Sequence, residues 1–344
     1  MPSQYETSDF DYEFPRESVA QRPLPDRDSS RLLLLNRATG DIEHRTFRDF
    51  VDLLRSDDIL VINVSRVVAA RLKGTRSNGR EAEVLLVHPD SDDTWLAMVH
   101  PGGKLKVGRK VYFGDDAVAE ILEVVGGGIR RIRITGSSQP NELMERYGSV
   151  PLPPYIDRPP ETADRERYQT VFSKEPGSVA APTAGLHFTN QILQDLRDKG
   201  VQLAEVVLHV GPGTFKPVSA DDPADHTMHA EWYAISAATA EVVTAARKSG
   251  RRVWAVGSTS ARVLETAWNG TELCEGTGWT DLFIYPPHEF QIVGALLTNF
   301  HLPRSTLLML VAAFAGYEHT MRAYRDAVAS GYRLYSYGDA MAVV

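Results

Sequence analysis

At 344 residues, 43% hydrophobic and 24% charged, the chain has the composition of a folded globular protein and length enough for about two domains. Its net charge of −8 argues against a protein that coats nucleic acid. The single cysteine, Cys274, excludes an internal disulfide, a thiolate-held metal cluster and radical iron–sulfur chemistry. No basic-then-apolar leader follows Met1, and the longest apolar run, 307–315, is short of the ~20 residues of a membrane span. A cytoplasmic location with no membrane partner is therefore expected.

Phe47, Phe50, Val51 and Leu54 recur at helical spacing and predict a helix over 46–58, followed by a buried strand over 59–64. The texture then changes. Short strand-like runs at 67–73, 83–88, 95–100, 110–113, 117–125 and 129–135 are separated by Gly, Asn, Asp or Ser turns. Gly126-Gly127-Gly128 marks a hairpin between the last two. Six short strands with no helix between them predict a small six-stranded β-barrel or a sandwich, inserted over 66–140. Between Arg66 and Gly136 stand twelve Lys or Arg against nine Asp or Glu, a local charge of +3 on a body of −11. Three clusters there contain no acid: Arg66, Arg71, Lys73, Arg76 and Arg80; Lys104, Lys106, Arg109 and Lys110; Arg130, Arg131 and Arg133. Such clusters are either an ordinary solvated face or a local grip on phosphate.

Val150-Pro151-Leu152-Pro153-Pro154-Tyr155 is a stiff extended connector, because proline fixes φ and removes donors. Beyond it helix and strand patterns alternate. Thr189 caps a helix carrying Ile192, Leu193 and Leu196 and ending at Gly200, with a strand over 201–210. Ser236 caps a helix ending at Gly250, with a strand over 252–256. The fold class is α/β, a mixed, mainly parallel sheet body built from 1–65 and 141–344.

Candidate chemistry concentrates in histidine motifs beside small or turn-forming residues. His187 ends Pro182-Thr183-Ala184-Gly185-Leu186-His187, His209 precedes Val210-Gly211-Pro212-Gly213-Thr214, and His226, His229 and Glu231 follow. His301 lies in Thr298-Asn299-Phe300-His301. Imidazole titrates nearest neutral pH, so the grouping points to proton transfer or to metal. His-x-x-His-x-Glu is not a helical zinc motif, yet His226, His229 and Glu231 leave a metal-dependent hydrolase as one alternative. A non-catalytic RNA-binding protein is another, resting on the basic segment. Gly257-Ser258-Thr259-Ser260 ahead of Arg262 opens a helix whose free N–H groups suit a carboxylate or phosphate. Trp232, Tyr233, Phe188 and Tyr285 are aromatic faces near these motifs.

Together these motifs are similar to one family nearly end to end. The similarity runs through Asp9-Phe10-Asp11-Tyr12, Ser30-Arg31-Leu32-Leu33, Tyr168-Gln169-Thr170-Val171, Ala180 to Phe188 and Leu208 to Phe215. It continues through His226, His229 and Glu231, Thr280 to Pro286, Thr298 to Met309 and Ser336 to Met341. The chain resembles the S-adenosylmethionine:tRNA ribosyltransferase-isomerases of queuosine biosynthesis. The resemblance implies transfer of the ribosyl part of the co-substrate S-adenosylmethionine to the aminomethyl group of 7-aminomethyl-7-deazaguanine. That base occupies the wobble position in the anticodon arm of tRNA, and the products are epoxyqueuosine-tRNA, adenine and methionine.

It further implies no metal and a monomer. His187, His209, His229 and His301 would share the proton transfers, with Glu231 orienting a ring or a ribose hydroxyl. Arg262, Ser258 and Ser260 would hold the methionine carboxylate, and Thr183, Gly185, Gly211, Gly213, Tyr285 and Asn299 would complete the co-substrate site. Arg66, Arg71, Lys73 and Arg304 would meet the nucleic acid. Where the family has a Tyr-Pro-Gly turn this chain has Tyr285-Pro286-Pro287, so that loop is expected to be built without a positive φ.

Overall fold

The structure, a computed structural model, describes residues 4–91 and 93–344. Its larger part is a nine-stranded mixed sheet. In spatial order the strands are Gly276–Thr280, Glu231–Ile235, Gln202–Leu208, Ile59–Asn63, Val253–Val256, Ala295–Asn299, Ala340–Val343, Arg31–Leu35 and Ile42–Thr46. Gln202–Leu208, Ile59–Asn63, Val253–Val256 and Ala295–Asn299 are mutually parallel. Ala340–Val343 reverses direction, Arg31–Leu35 runs with it, and both outer edges are antiparallel.

Both faces of this sheet are covered, which is why Leu32–Leu35, Ile59–Ile62, Val253–Val256 and Ala340–Val343 are unbroken apolar runs. Leu33 and Leu35 enter one core with helices Ala237–Lys248, Gly257–Ala267, Thr306–Ala315 and Tyr317–Ala329. Leu32 and Leu34 enter the other with Phe47, Phe50 and helix Asn190–Asp198. Each fully buried leucine contributes ~1.5–3 kcal/mol, so a one-residue slip of this strand would misplace four such side chains. The caps follow the sequence reading: Thr189 Oγ1 accepts from Ile192 N at 3.2 Å and Ser236 Oγ from Thr239 N at 3.2 Å. The helix expected over 46–58 is shorter. A single 3₁₀ turn, Phe47–Asp49, runs into Phe50–Leu53 and stops, because Asp58 draws Arg55 N into a turn at 2.9 Å.

The strand-rich segment forms a second, separate antiparallel sheet. Its six strands are Arg71–Arg76, Glu81–Pro89, Thr94–His100, Lys110–Phe113, Ala117–Gly126 and Ile129–Gly136, and pairing of the first with the fourth closes them into a ring. The strand expected over 67–73 is divided. Ser65–Val67 pairs with Glu175–Ser178, and the ring strand begins only at Arg71. Helix Pro140–Tyr147 sends Leu143 and Met144 into the ring's core beside Leu72, Val84, Phe113 and Ile132. Among the described residues no helix is long and apolar enough to cross a membrane.

Candidate active site

The parallel strands end together at one edge of the large sheet, where an α/β fold leaves room for ligand. Asn63, Leu208, Val256 and Asn299 are the last residues of those four strands. The antiparallel neighbours bring Glu231, Ala340 and Thr280 to the same edge. A cleft opens there, enclosing about 560 Å³ when the part open to solvent is counted. Thr183, Thr214, Ser258, Thr259, Asn299 and His301 are among its polar lining. Tyr155, Phe300 and Tyr335 are its aromatic lining residues, with the Phe300 ring packed in the core against Tyr324 and Tyr332. Helix Gly257–Ala267 begins at the cleft, and Gly257 (φ +85°) turns strand into helix without a loop.

Asn299 is fixed by its surroundings. Its Nδ2 faces Tyr335 O at 3.1 Å, Asp339 O at 3.4 Å and His187 Nε2 at 3.2 Å. Carbonyl oxygens only accept, so the amide must present its N–H groups to them. His187 Nε2 is then an acceptor, and Nδ1–H donates to Ser30 Oγ at 2.7 Å. The opposite atom, Asn299 Oδ1, is buried without a partner in a residue 1% exposed. Thr259 is another lining residue, and its Oγ1 is buried and unpartnered as well. Tyr335, whose carbonyl helps hold Asn299, has φ +70°, a conformation costly for a bulky residue.

The four expected histidines occupy different surroundings. His301 lines the cleft, with Nε2 2.7 Å from Thr298 Oγ1, and burial pushes it down to about 3. His187 lies behind Asn299, stacked on Phe47, and burial, then Arg27 and Arg333, push it down to about 3. Both rings are neutral at ordinary pH. His209 is half-buried, stacked on Trp232 at 5.0 Å, its Nδ1 2.8 Å from Ser65 Oγ. A Cβ at Gly177 would stand 2.5 Å from its Nε2. His229 is exposed between two glycines, Gly127 of the ring and Gly213 of the 211–214 loop.

Glu231 and Arg262 hold each other. Arg262 Nη1 donates to Glu231 Oε2, Nε to Leu282 O at 3.0 Å and Nη2 to Thr280 O at 3.2 Å. Glu231 Oε1 accepts from Gly211 N at 2.7 Å and Thr214 Oγ1 at 3.4 Å. This buried pair braces the 211–214 wall of the cleft, and Arg262 has its donors turned to protein acceptors. Ser260 Oγ is likewise turned inward, to Val256 O at 2.8 Å, and Gly185 packs against Phe172 and Thr170. Tyr285 sits at the rim of the body's core, against Phe283, and the Pro286-Pro287 peptide is cis.

His226 packs edge-on to Phe283 at 5.2 Å, and among the described residues no three His, Cys, Asp or Glu side chains gather as a metal site. Arg71 lies 3.6 Å from Glu83, and Arg304 pairs with Asp11. Arg66 and Lys73 are exposed.

A family model described as queuosine biosynthesis protein matches residues 7–343. The chain belongs to that family. A relative from Symbiobacterium thermophilum named S-adenosylmethionine:tRNA ribosyltransferase-isomerase is 50% identical over 341 residues, covering 98% of this chain and 99% of the relative. One of the same name from Heliobacterium modesticaldum is 49% identical over 340 residues, covering 97% and 98%. A crystal structure of an S-adenosylmethionine tRNA ribosyltransferase from Thermotoga maritima is similar with TM-score 0.57 at 40% identity, covering 98% of this chain and 100% of that one.

Within this queuosine biosynthesis protein, sequence reasoning missed Tyr155, Thr259, Phe300 and Tyr335 as cleft residues. Tyr155 closes the proline-rich connector, and proline stiffness alone gave a connector without a destination. Tyr335 and Ser336 enter because Ala340–Val343 runs antiparallel to Ala295–Asn299, a reversal that local periodicity cannot carry. The aromatic residues expected near ligand are placed elsewhere: Phe188 is core, and Trp232 stacks on His209.

Proposed function

We propose that the cleft binds S-adenosylmethionine and that the protein transfers and isomerises its ribosyl unit onto a tRNA base. The acceptor is the aminomethyl group of 7-aminomethyl-7-deazaguanine at the wobble position, giving epoxyqueuosine-tRNA, adenine and methionine. Beyond family membership, one observation carries the reading: Asn299 and Thr259, two residues of the cleft's lining, each hold a buried side-chain oxygen without a protein partner. Leaving such a group unpaired costs ~1–3 kcal/mol, and a ligand hydroxyl or ammonium recovers it. S-adenosylmethionine carries both groups, together with a carboxylate.

The methionine carboxylate falls to the free N–H groups of Ser258 and Thr259 in the first turn of helix Gly257–Ala267, in place of the expected Arg262. The rings of Tyr155 and Tyr335, 4.8 Å apart beside the cleft, suit a sulfonium cation. Bound S-adenosylmethionine supplies the ribosyl group and a sulfonium that acidifies the adjoining carbon. His301, neutral and in the cleft, is the group that accepts a proton there, with Thr298 holding its other side. His229, at the cleft's mouth, meets the incoming aminomethyl ammonium. His187 and His209 position: the first aims Asn299, and the second anchors Ser65 at the end of its strand. Glu231 and Arg262 keep the 211–214 wall in place. The ring of strands, with 66–140 as the inserted small barrel, serves the tRNA side.

Incubation with S-adenosylmethionine and tRNA carrying the aminomethyl precursor tests this. Release of adenine and methionine with a mass gain on the tRNA is expected; methyl transfer, or no reaction, rejects it.

A further inference from the structure

Strand register sorts the ring's turns into two ends. Thr75 pairs with Glu81 and Tyr112, Glu83 with His100, Lys110 with Glu120, and Ile129 with Gly126. The turns 77–80, 101–109 and 127–128 therefore lie at one end. Asp90, Asp93 and the turn 114–116 lie at the other, where Phe113 pairs with Ala117 and Pro89 with Trp95.

The two ends carry opposite charge. Residues 76–80 and 101–109 contain Arg76, Arg80, Lys104, Lys106 and Arg109 and no acid. The other end holds Asp90, Asp93, Asp115 and Asp116 and no base within its turns. The strand and helix arginines are drawn to that acidic end: Arg131 pairs with Asp90 at 2.5 Å, Arg133 with Asp93 at 2.8 Å and Arg146 with Asp116 at 2.8 Å. Of the three basic clusters in the sequence, the one at 130–133 is thus largely neutralised. Arg76 and Arg80 of the first and Lys104, Lys106 and Arg109 of the second lie at the same end, and among the described residues these five make no ion pair. Apolar side chains stand in water beside them: Val107 is 59% exposed, Val124 51% and Val125 48%.

This basic end is joined to the candidate active site. Lys216 Nζ donates to Gly127 O at 2.8 Å, and a Cβ at Gly127 would lie 3.1 Å from His229 Cε1. The loop it touches is the one that sends Thr214 into the cleft. An acid-free group of cations with exposed apolar residues suits a sugar–phosphate backbone with unstacked bases.

We infer that this end of the ring, through Arg76, Arg80, Lys104, Lys106 and Arg109, grips the RNA backbone, and that the 127–128 turn bridges it to the cleft. The inference rests on the proposed tRNA substrate and names the surface that takes it, in place of Arg71 and Arg304, whose charges are paired. Its test compares the wild-type protein with K104A/K106A/R109A and R76A/R80A, and with R131A/R133A as a control from the neutralised cluster.

Binding of precursor tRNA is followed across salt concentration, and adenine release across tRNA and S-adenosylmethionine concentration. The triple variant is expected to raise Kd and KM for tRNA at least tenfold and to flatten log K against log salt by about 2, at roughly 0.7–0.9 per lost phosphate contact. KM for S-adenosylmethionine should stay unchanged, and the control should match wild type. Tip variants that bind and turn over tRNA like wild type overturn the inference. A wild-type protein that releases no adenine overturns instead the functional reading on which it rests.

Discussion

The two edges of the large sheet both bury polar groups, and they treat them differently. At the edge where the parallel strands begin, Asp58 is 0% exposed and saturated. Its carboxylate accepts from Arg252 Nη2 at 2.6 Å, Arg252 Nε at 3.2 and 3.3 Å, Trp254 Nε1 at 3.0 Å and Arg55 N at 2.9 Å. At the edge where those strands end, Asn299 and Thr259 are equally enclosed and each leaves an oxygen without a partner. A saturated network has spent its bonding capacity on the fold, whereas an open one holds capacity for a ligand. Stability and binding should therefore separate between the edges.

The largest separation is expected from Asp58→Ala. Removing one member of a buried ion pair strands the other, so unfolding free energy should fall by about 3–5 kcal/mol in denaturant titration. The Kd for S-adenosylmethionine of the folded fraction should not move. A tenfold weaker Kd would show that the two edges are not separable.

Acid sharpens the comparison next. His187 and His301 are pushed down to about 3 by burial, against 6.5 when unfolded. Between those values the unfolded chain binds more protons, so the stability is fully present above pH 6.5 and is lost as pH falls toward 3. Each ring contributes about 1.4 kcal/mol per pH unit across that window. His187→Gln should thus remove about 2 kcal/mol of the stability loss between pH 6.5 and 5. An acid slope identical to that of the wild-type protein would mean that His187 is not held neutral.

Asn299→Leu should weaken S-adenosylmethionine binding ten- to a hundredfold in calorimetric titration, the ~1.5–3 kcal/mol of a lost buried hydrogen bond to a charged group. Unchanged affinity would leave Oδ1 as an unexplained vacancy and remove the main argument for the cleft.

The sequence made the covered sheet legible because its signals are local. The apolar run at 59–64, the Thr189 and Ser236 caps and the six short strands all follow from period and turn chemistry. A place in the cleft lining was legible where a motif sits at a parallel strand's end, as with Asn299, His301 and Ser258. It failed where membership depends on a partner distant in sequence. Arg262 looked free until Glu231, thirty-one residues away, arrived across the sheet edge to claim it. His187 looked catalytic until Asn299 and Ser30 took both ring nitrogens. The charge division of the ring was hidden for the same reason: the basic clusters read alike in sequence, and only strand register sends one to the acidic end.

Thr259→Val gives the smallest effect and the cleanest test of the contrast. The substitution keeps the shape of the side chain and removes a buried hydroxyl that no protein atom satisfies. At a saturated position the loss of a hydroxyl would destabilise the fold. Here the folded state loses only an uncompensated desolvation cost, so thermal stability should hold or rise by up to about 1 kcal/mol. Binding should move the other way, with Kd for S-adenosylmethionine rising about three- to tenfold, or ~0.7–1.4 kcal/mol. Opposite signs in one isosteric variant mark a group kept for ligand at the expense of the fold. A variant that loses stability and keeps its affinity would place Thr259 with Asp58, among the groups the fold itself requires.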